Sequence, residues 1–153
     1  MSPLILLVED NAMDEQLTLM ALQRSAVVCE VTVVRDGAAA LDYLFAGGLH
    51  AGRDPSVLPS VVLLDLNLPK LGGLEVLRRI RGDERTRAVP VVILTSSSEG
   101  SEISAAGALG SNAYVRKLMA FDAFAEAIRV LSVFWLTINE RGPPRRPATI
   151  PPG

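Results

Sequence analysis

The sequence predicts an α/β fold in which one doubly wound, five-stranded parallel sheet is covered by helices on both faces. Two observations predict it. Short apolar runs alternate with longer stretches whose apolar residues recur every three or four positions, the one-dimensional pattern of a buried parallel sheet with crossover helices. The chain has 153 residues, the length of one typical domain, enough to bury roughly 70% of the surface that its unfolded form exposes.

The apolar runs are Leu4 to Val8, Val31 to Val34, Val61 to Leu64, Val91 to Leu94 and Ala113 to Val115. Each is short enough for a strand and too short for a buried helix. The amphipathic stretches between and after them are Ala12 to Arg24, Gly37 to Ala46, Gly73 to Arg81, Glu99 to Leu109 and Phe121 to Ile138. The longest connection, residues 47–59, carries Gly47, Gly48, Gly52, Pro55 and Pro59 and reads as a surface loop inserted within the domain. The domain is expected to span residues 1–140. Residues 141–153 hold five of the ten prolines beside Arg141, Arg145 and Arg146, which suits neither helix nor sheet ladder and predicts a mobile tail. No output domain and no internal repeat is visible in the sequence.

Apolar residues make up 49% of the chain and charged residues 21%, with 15 Lys and Arg against 17 Asp and Glu. A net charge of −2 excludes nucleic-acid binding driven by overall basicity, because counterion release needs clustered cations. One cysteine, Cys29, and one histidine, His50, leave no internal disulfide and no set for structural zinc. The first ten residues carry no basic leader, and their apolar run is too short for a signal peptide or a membrane span. The expected location is cytoplasmic, with no membrane partner.

At about 100° per residue, Phe121, Phe124, Ile128, Leu131 and Trp135 of the last helix form one stripe, and Val130, Val133 and Phe134 face the other way. A helix apolar on all sides is expected to be buried on all sides. Either the tail or the 47–59 loop covers the second stripe, or a second copy does; a homodimer contact is the preferred expectation.

In doubly wound sheets, ligands sit beyond the carboxyl ends of the strands where the strand order reverses. Glu9 and Asp10 end the first apolar run and Asp65 ends the third, and in a 2-1-3-4-5 order those strands are neighbours. Three converging carboxylates repel one another unless a cation offsets them, and oxygen donors in an open, hydrated site favour Mg²⁺. The plainer alternative is that Asp10 or Asn11 caps the first helix. Asp65 precedes a loop, Leu66 to Gly72, so capping does not account for it. The fourth and fifth runs end in Thr95-Ser96 and Tyr114-Val115-Arg116-Lys117, placing a hydroxyl and an ammonium at the same crevice, both suited to a phosphoryl oxygen. Ser96 with Glu99 also has capping-box spacing, and Lys117 taken alone would be an ordinary surface lysine.

Val-Glu-Asp-Asn at 8–11, Leu-Leu-Asp-Leu-Asn-Leu-Pro at 63–69, Val-Pro-Val-Val-Ile-Leu-Thr-Ser at 89–96 and Tyr-Val-Arg-Lys at 114–117 together resemble the landmarks of two-component response-regulator receiver domains. The resemblance covers residues 4 to about 138. The 47–59 loop, Asn67-Leu68-Pro69-Lys70 and Phe134-Trp135-Leu136-Thr137 further resemble stand-alone receivers paired with phytochrome-type histidine kinases. The resemblance implies a flavodoxin-like (βα)5 fold and a phosphoacceptor signalling protein rather than an ordinary enzyme. Asp65 would take a phosphoryl group from a kinase phosphohistidine. Glu9, Asp10, Asp65 and the Asn67 carbonyl would hold Mg²⁺, Thr95 and Lys117 would bind the phosphoryl oxygens, and Tyr114 would change rotamer with Thr95 on activation.

Those roles agree with the physics of phosphoryl transfer, which is mainly positioning and neutralisation of oxygen charge. In one departure, receivers usually carry proline after the lysine, often through a cis bond, where this chain has Leu118. A cis bond before a non-proline residue costs about 3–4 kcal/mol, so a trans peptide and some loss of lysine positioning are expected. Two other functions compete. A phosphatase using an aspartate nucleophile needs an acid two residues after it, where Asn67 stands; a P-loop enzyme lacks its motif. A phosphate-independent binding module is the remaining alternative.

Overall fold

The computed structural model describes residues 3–25, 29–96, 100–117 and 120–138. Five strands, β1 (Leu4–Val8), β2 (Glu30–Val34), β3 (Val61–Asp65), β4 (Val91–Thr95) and β5 (Ala113–Arg116), alternate with α1 (Ala12–Arg24), α2 (Gly37–Phe45), α3 (Gly73–Gly82), α4 (Gly100–Ala108) and α5 (Phe121–Val133). All pairings are parallel and the order is β2-β1-β3-β4-β5. The order in which strands are added therefore reverses between β1 and β3, whose ends carry Glu9-Asp10 and Asp65.

Residue alternation along the strands builds two cores. Leu6, Val8, Val62, Leu64 and Ile93 face α2, α3 and α4, where they meet Leu44, Val76, Leu77 and Ile80. Ile5, Leu7, Leu63, Val92 and Leu94 face α1 and α5, meeting Leu22, Phe124 and Ile128. Both faces of β1, β3 and β4 are covered, so their near-continuous apolar runs follow directly from burial.

The helix boundaries differ from the sequence expectation in ways set by local chemistry. Ala46, expected as the last residue of α2, adopts a left-handed conformation (φ 57°, ψ 47°) and closes the helix, its N–H bonding back to α2 carbonyls. The 47–59 connection begins with a short 3₁₀ turn, Gly48–His50. It is pinned by Arg53, which stacks 3.8 Å over the Tyr43 ring and donates to the carbonyls of Tyr43 and Val57. The last helix leaves α geometry at Val133, and Phe134–Ile138 forms a π-type turn.

Expected burial on all sides of that last helix is not observed within the described chain. Phe124 and Ile128 are in the core, and Leu131 and Trp135 pack against it, whereas Val130 and Phe134 are 50% and 42% exposed. Val133 is half-buried. The 139–153 segment and the Lys117–Leu118 peptide lie outside the described residues, as does the Ser96–Glu99 capping pair. No described helix is long and apolar enough to cross a membrane.

Two glycines hold the β3–α3 loop in place. A Cβ on Gly37 would collide with the Leu71 carbonyl oxygen, and one on Gly73 with the Asp65 carbonyl oxygen and the Leu66 Cα. Gly73→Ala should cost about 1–3 kcal/mol by overpacking, read as a lower urea midpoint at unchanged slope. The collision falls on backbone, which relaxes poorly, so the same variant should also displace Asp65.

Candidate functional site

Glu9, Asp10, Asp65, Thr95 and Lys117 each stand at or just beyond the carboxyl end of a strand, where the ladder fixes the backbone. The Glu9 N–H donates to the Val34 carbonyl at 3.0 Å and the Lys117 N–H to the Thr95 carbonyl at 2.8 Å, extending β1 and β5 pairing by one residue. Thr95 is paired in register with Arg116 across β4 and β5, and Asp65 with Leu94 across β3 and β4. The sheet thus sets Glu9, Asp65, Thr95 and Lys117 along one edge.

Glu9, Asp10 and Asp65 each bring a carboxylate oxygen within 4.8 Å of the others. Glu9 and Asp65 are buried and Asp10 is exposed, so the cluster has a closed floor and an open side. Asn11, not Asp10, caps α1: its side chain accepts the Asp14 N–H at 2.9 Å. That leaves the Asp10 carboxylate outside the cap. The Asn67 N–H donates to Asp65 Oδ1 at 3.1 Å, turning the loop back over the carboxylate, and Asn67 itself is exposed.

Lys117 Nζ lies 2.8 Å from Glu9 Oε1 and 3.3 Å from Asp65 Oδ2, and the side chain is only 9% exposed. It also donates to Asp14 Oδ2 at 2.8 Å, a partner that sequence reasoning missed. The available signal was modest: once Asn11 is the cap, Asp14 falls on the first turn of α1, beside the Glu9-Asp10 loop. Thr95 is buried, while Tyr114 on β5 is about half exposed.

Burial pushes the Glu9 carboxyl up to about 7, aided by Asp65 beside it and opposed by the hydrogen bond from Lys117. Burial pulls the Lys117 ammonium down, but its hydrogen bonds to Asp14 and Glu9 and the Asp65 charge outweigh that and hold it above its ordinary value. Even beside Lys117, burial leaves Glu9 easier to protonate than an ordinary carboxylate. The carboxylate oxygens, one solvent-facing, form a donor set that suits a hard dication. Glu9, Asp10 and Asp65 are the described side chains placed to hold one.

A family model for the response regulator receiver domain matches residues 5–129. The chain belongs to this family. Receiver-domain response regulators are signalling proteins, and this one is of the Rcp1 type. Response regulator Rcp1 of Synechocystis sp. is 36% identical over 132 residues, covering 86% of this chain and 88% of that protein. Its Mn(2+)-bound crystal structure superposes with a TM-score of 0.81 at 33% identity, over 91% of this chain and 98% of that one. The phosphorylated cyanobacterial phytochrome response regulator RcpA gives a TM-score of 0.84 at 36% identity, over 93% and 99%. The bacteriophytochrome response regulator RtBRR is 50% identical with a TM-score of 0.77, over 94% and 86%. The receiver described here shares their flavodoxin-like fold, and its acidic cluster lies at the crevice of that fold.

Proposed function

We propose that this receiver accepts a phosphoryl group on Asp65 from a phytochrome-type sensor histidine kinase, in a Mg²⁺-dependent reaction in the cytoplasm, and signals through protein contacts. The observation that carries this reading is the clustering of the Asp65 carboxylate with those of Glu9 and Asp10, all within 4.8 Å of one another, and its contact with the Lys117 ammonium at 3.3 Å. Glu9, Asp10, Asp65 and the Asn67 carbonyl would hold the metal. When bound, Mg²⁺ supplies positive charge that offsets the carboxylates and the transferred phosphoryl oxygens.

In the transfer, an Asp65 carboxylate oxygen forms a bond to phosphorus as the histidine P–N bond breaks, and the leaving electron pair stays on the imidazole. Lys117 supplies an ammonium to one phosphoryl oxygen and Thr95 a hydroxyl to another. No general base is required, because the nucleophile is already an anion. The likeness to a phosphorylated phytochrome response regulator and to a bacteriophytochrome response regulator supports both the chemistry and the class of donor. Helix α1 offers the donor a surface: Met13, Leu17 and Met20 are exposed at helical spacing on the element whose first turn holds Asp14.

Output proceeds through the Thr95 and Tyr114 pair and the α5 surface. Thr95 moving onto the phosphoryl group leaves space that the exposed Tyr114 ring turns into, altering the surface formed by α4, β5 and α5. Val130, Val133 and Phe134 form the homodimer contact. The test is transfer of labelled phosphate from a purified phytochrome-type kinase, combined with sedimentation of the product. Label should reach Asp65, and Thr95→Ala should still be labelled but lose the phosphorylation-dependent change in assembly. An unlabelled receiver would favour a phosphate-independent binding module, and an unchanged response in Thr95→Ala would remove the switch.

A further inference from the structure

Lys117 is held by more carboxylates than the transfer chemistry uses. An ammonium has three N–H donors, and three carboxylates surround this one: Glu9 Oε1 and Asp14 Oδ2 at 2.8 Å, and Asp65 Oδ2 at 3.3 Å. The two short contacts come from opposite supports, the end of β1 and the first turn of α1. The looser third contact is the one directed at Asp65, where a phosphoryl oxygen would arrive.

The backbone of Asp14 is fixed without help from Lys117. Its N–H is held by the Asn11 side chain at 2.9 Å, and its carbonyl accepts the hydroxyl of fully buried Thr18 at 2.9 Å. Beside this pair lies a cavity of about 80 Å³ lined by Asp14, Leu17, Thr18, Lys117, Phe121 and Phe124. A four-carbon lysine stem next to open space has other rotamers to visit, and the Asp14 carboxylate is the contact that holds the ammonium on the cavity side.

We propose that Asp14 is a positioning residue: with Glu9 it clamps the Lys117 ammonium so that its remaining N–H is aimed at the phosphoryl group on Asp65. The inference rests on the phosphoacceptor reading above. It competes with a simpler role, in which Asp14 is a first-turn carboxylate that favours the α1 N-terminus. The two differ in sign. Removing a negative charge near a site approached by an anionic phosphodonor should leave phosphorylation unchanged or speed it, whereas losing the clamp should slow it.

The experiment compares initial phosphorylation rates with acetyl phosphate at saturating Mg²⁺, read by intact mass, alongside Mg²⁺ affinity by calorimetry. Asp14→Ala should be about tenfold slower, less than the roughly 100-fold that a 1 Å misplacement can cost because Glu9 still holds the ammonium, with a Mg²⁺ Kd within roughly threefold of wild type because Asp14 is partly solvated. Asp14→Asn keeps an oxygen acceptor and should recover most of the rate. Asp14→Ser retains helix-start chemistry but cannot reach Lys117, so it should be slow even where Asp14→Ala folds poorly. In a Lys117→Ala background, Asp14→Ala should add nothing. Wild-type rates in Asp14→Ala and Asp14→Ser, or an equal loss in the absence of Lys117, would overturn the clamp alone. A wild-type protein that takes no phosphate overturns the phosphoacceptor reading and the clamp with it.

Discussion

A Lys117→Ala receiver is expected to bind Mg²⁺ about tenfold more tightly than the wild type and yet to accept phosphate at least roughly 100-fold more slowly. The opposite signs follow from the position of the ammonium. Lys117 lies within 3.3 Å of both Glu9 and Asp65, so it offsets the same charge that would attract a metal, and its removal leaves the cluster more anionic. A unit charge pair at 4 Å is worth about 4 kcal/mol at an effective dielectric of 20; the exposed Asp10 side lets water screen part of that, leaving about 1.4 kcal/mol, or tenfold. The transfer rate falls because a preorganised charge facing the phosphoryl oxygens is lost.

Metal-free stability should suffer less than the about 3–5 kcal/mol typical of breaking a buried ion pair. Glu9, already pushed up to about 7 by burial, can take a proton at neutral pH when its partner is gone. Calorimetry and intact-mass kinetics on one preparation check both signs. Weaker Mg²⁺ binding in the variant would mean that Lys117 organises the carboxylates rather than neutralising them.

Asp65→Asn should remove phosphorylation altogether while leaving the fold intact. The amide has no anionic oxygen to attack phosphorus, so the expected loss is to below detection. Structurally the exchange is mild: an amide oxygen can still accept the Asn67 N–H that Asp65 Oδ1 now receives at 3.1 Å. The lost attraction to Lys117 is offset by relief of repulsion from Glu9 and Asp10, so stability should move by no more than about 1 kcal/mol. Intact mass and urea midpoint read the two halves. Phosphoryl mass retained by the folded variant would show that another residue is the acceptor.

Much of this geometry was legible in the sequence because a parallel sheet turns a one-dimensional pattern into a three-dimensional one. Apolar runs located the strands, and the residues that end them, Glu9, Asp65, Thr95 and Lys117, necessarily lie at one edge once the order is β2-β1-β3-β4-β5. Features that depend on side-chain reach were not legible. Asp14 meets Lys117 only because the Asn11 cap sets the rotation of α1, and no spacing rule links positions 103 residues apart.

The left-handed Ala46 was missed because that conformation is usually taken by glycine, and Gly47 and Gly48 follow immediately. The two apolar sides of α5 were readable, but periodicity reports only that Val130 and Phe134 are apolar. Within the described chain both are exposed.

Whether Asp65 is a Mg²⁺-dependent phosphoacceptor is read most directly from the intact mass of the wild-type receiver after incubation with acetyl phosphate, with and without Mg²⁺. The expected result is a gain of one phosphoryl group that requires Mg²⁺ and is absent from Asp65→Asn. A folded receiver that gains nothing, under conditions that label a control receiver, would contradict it.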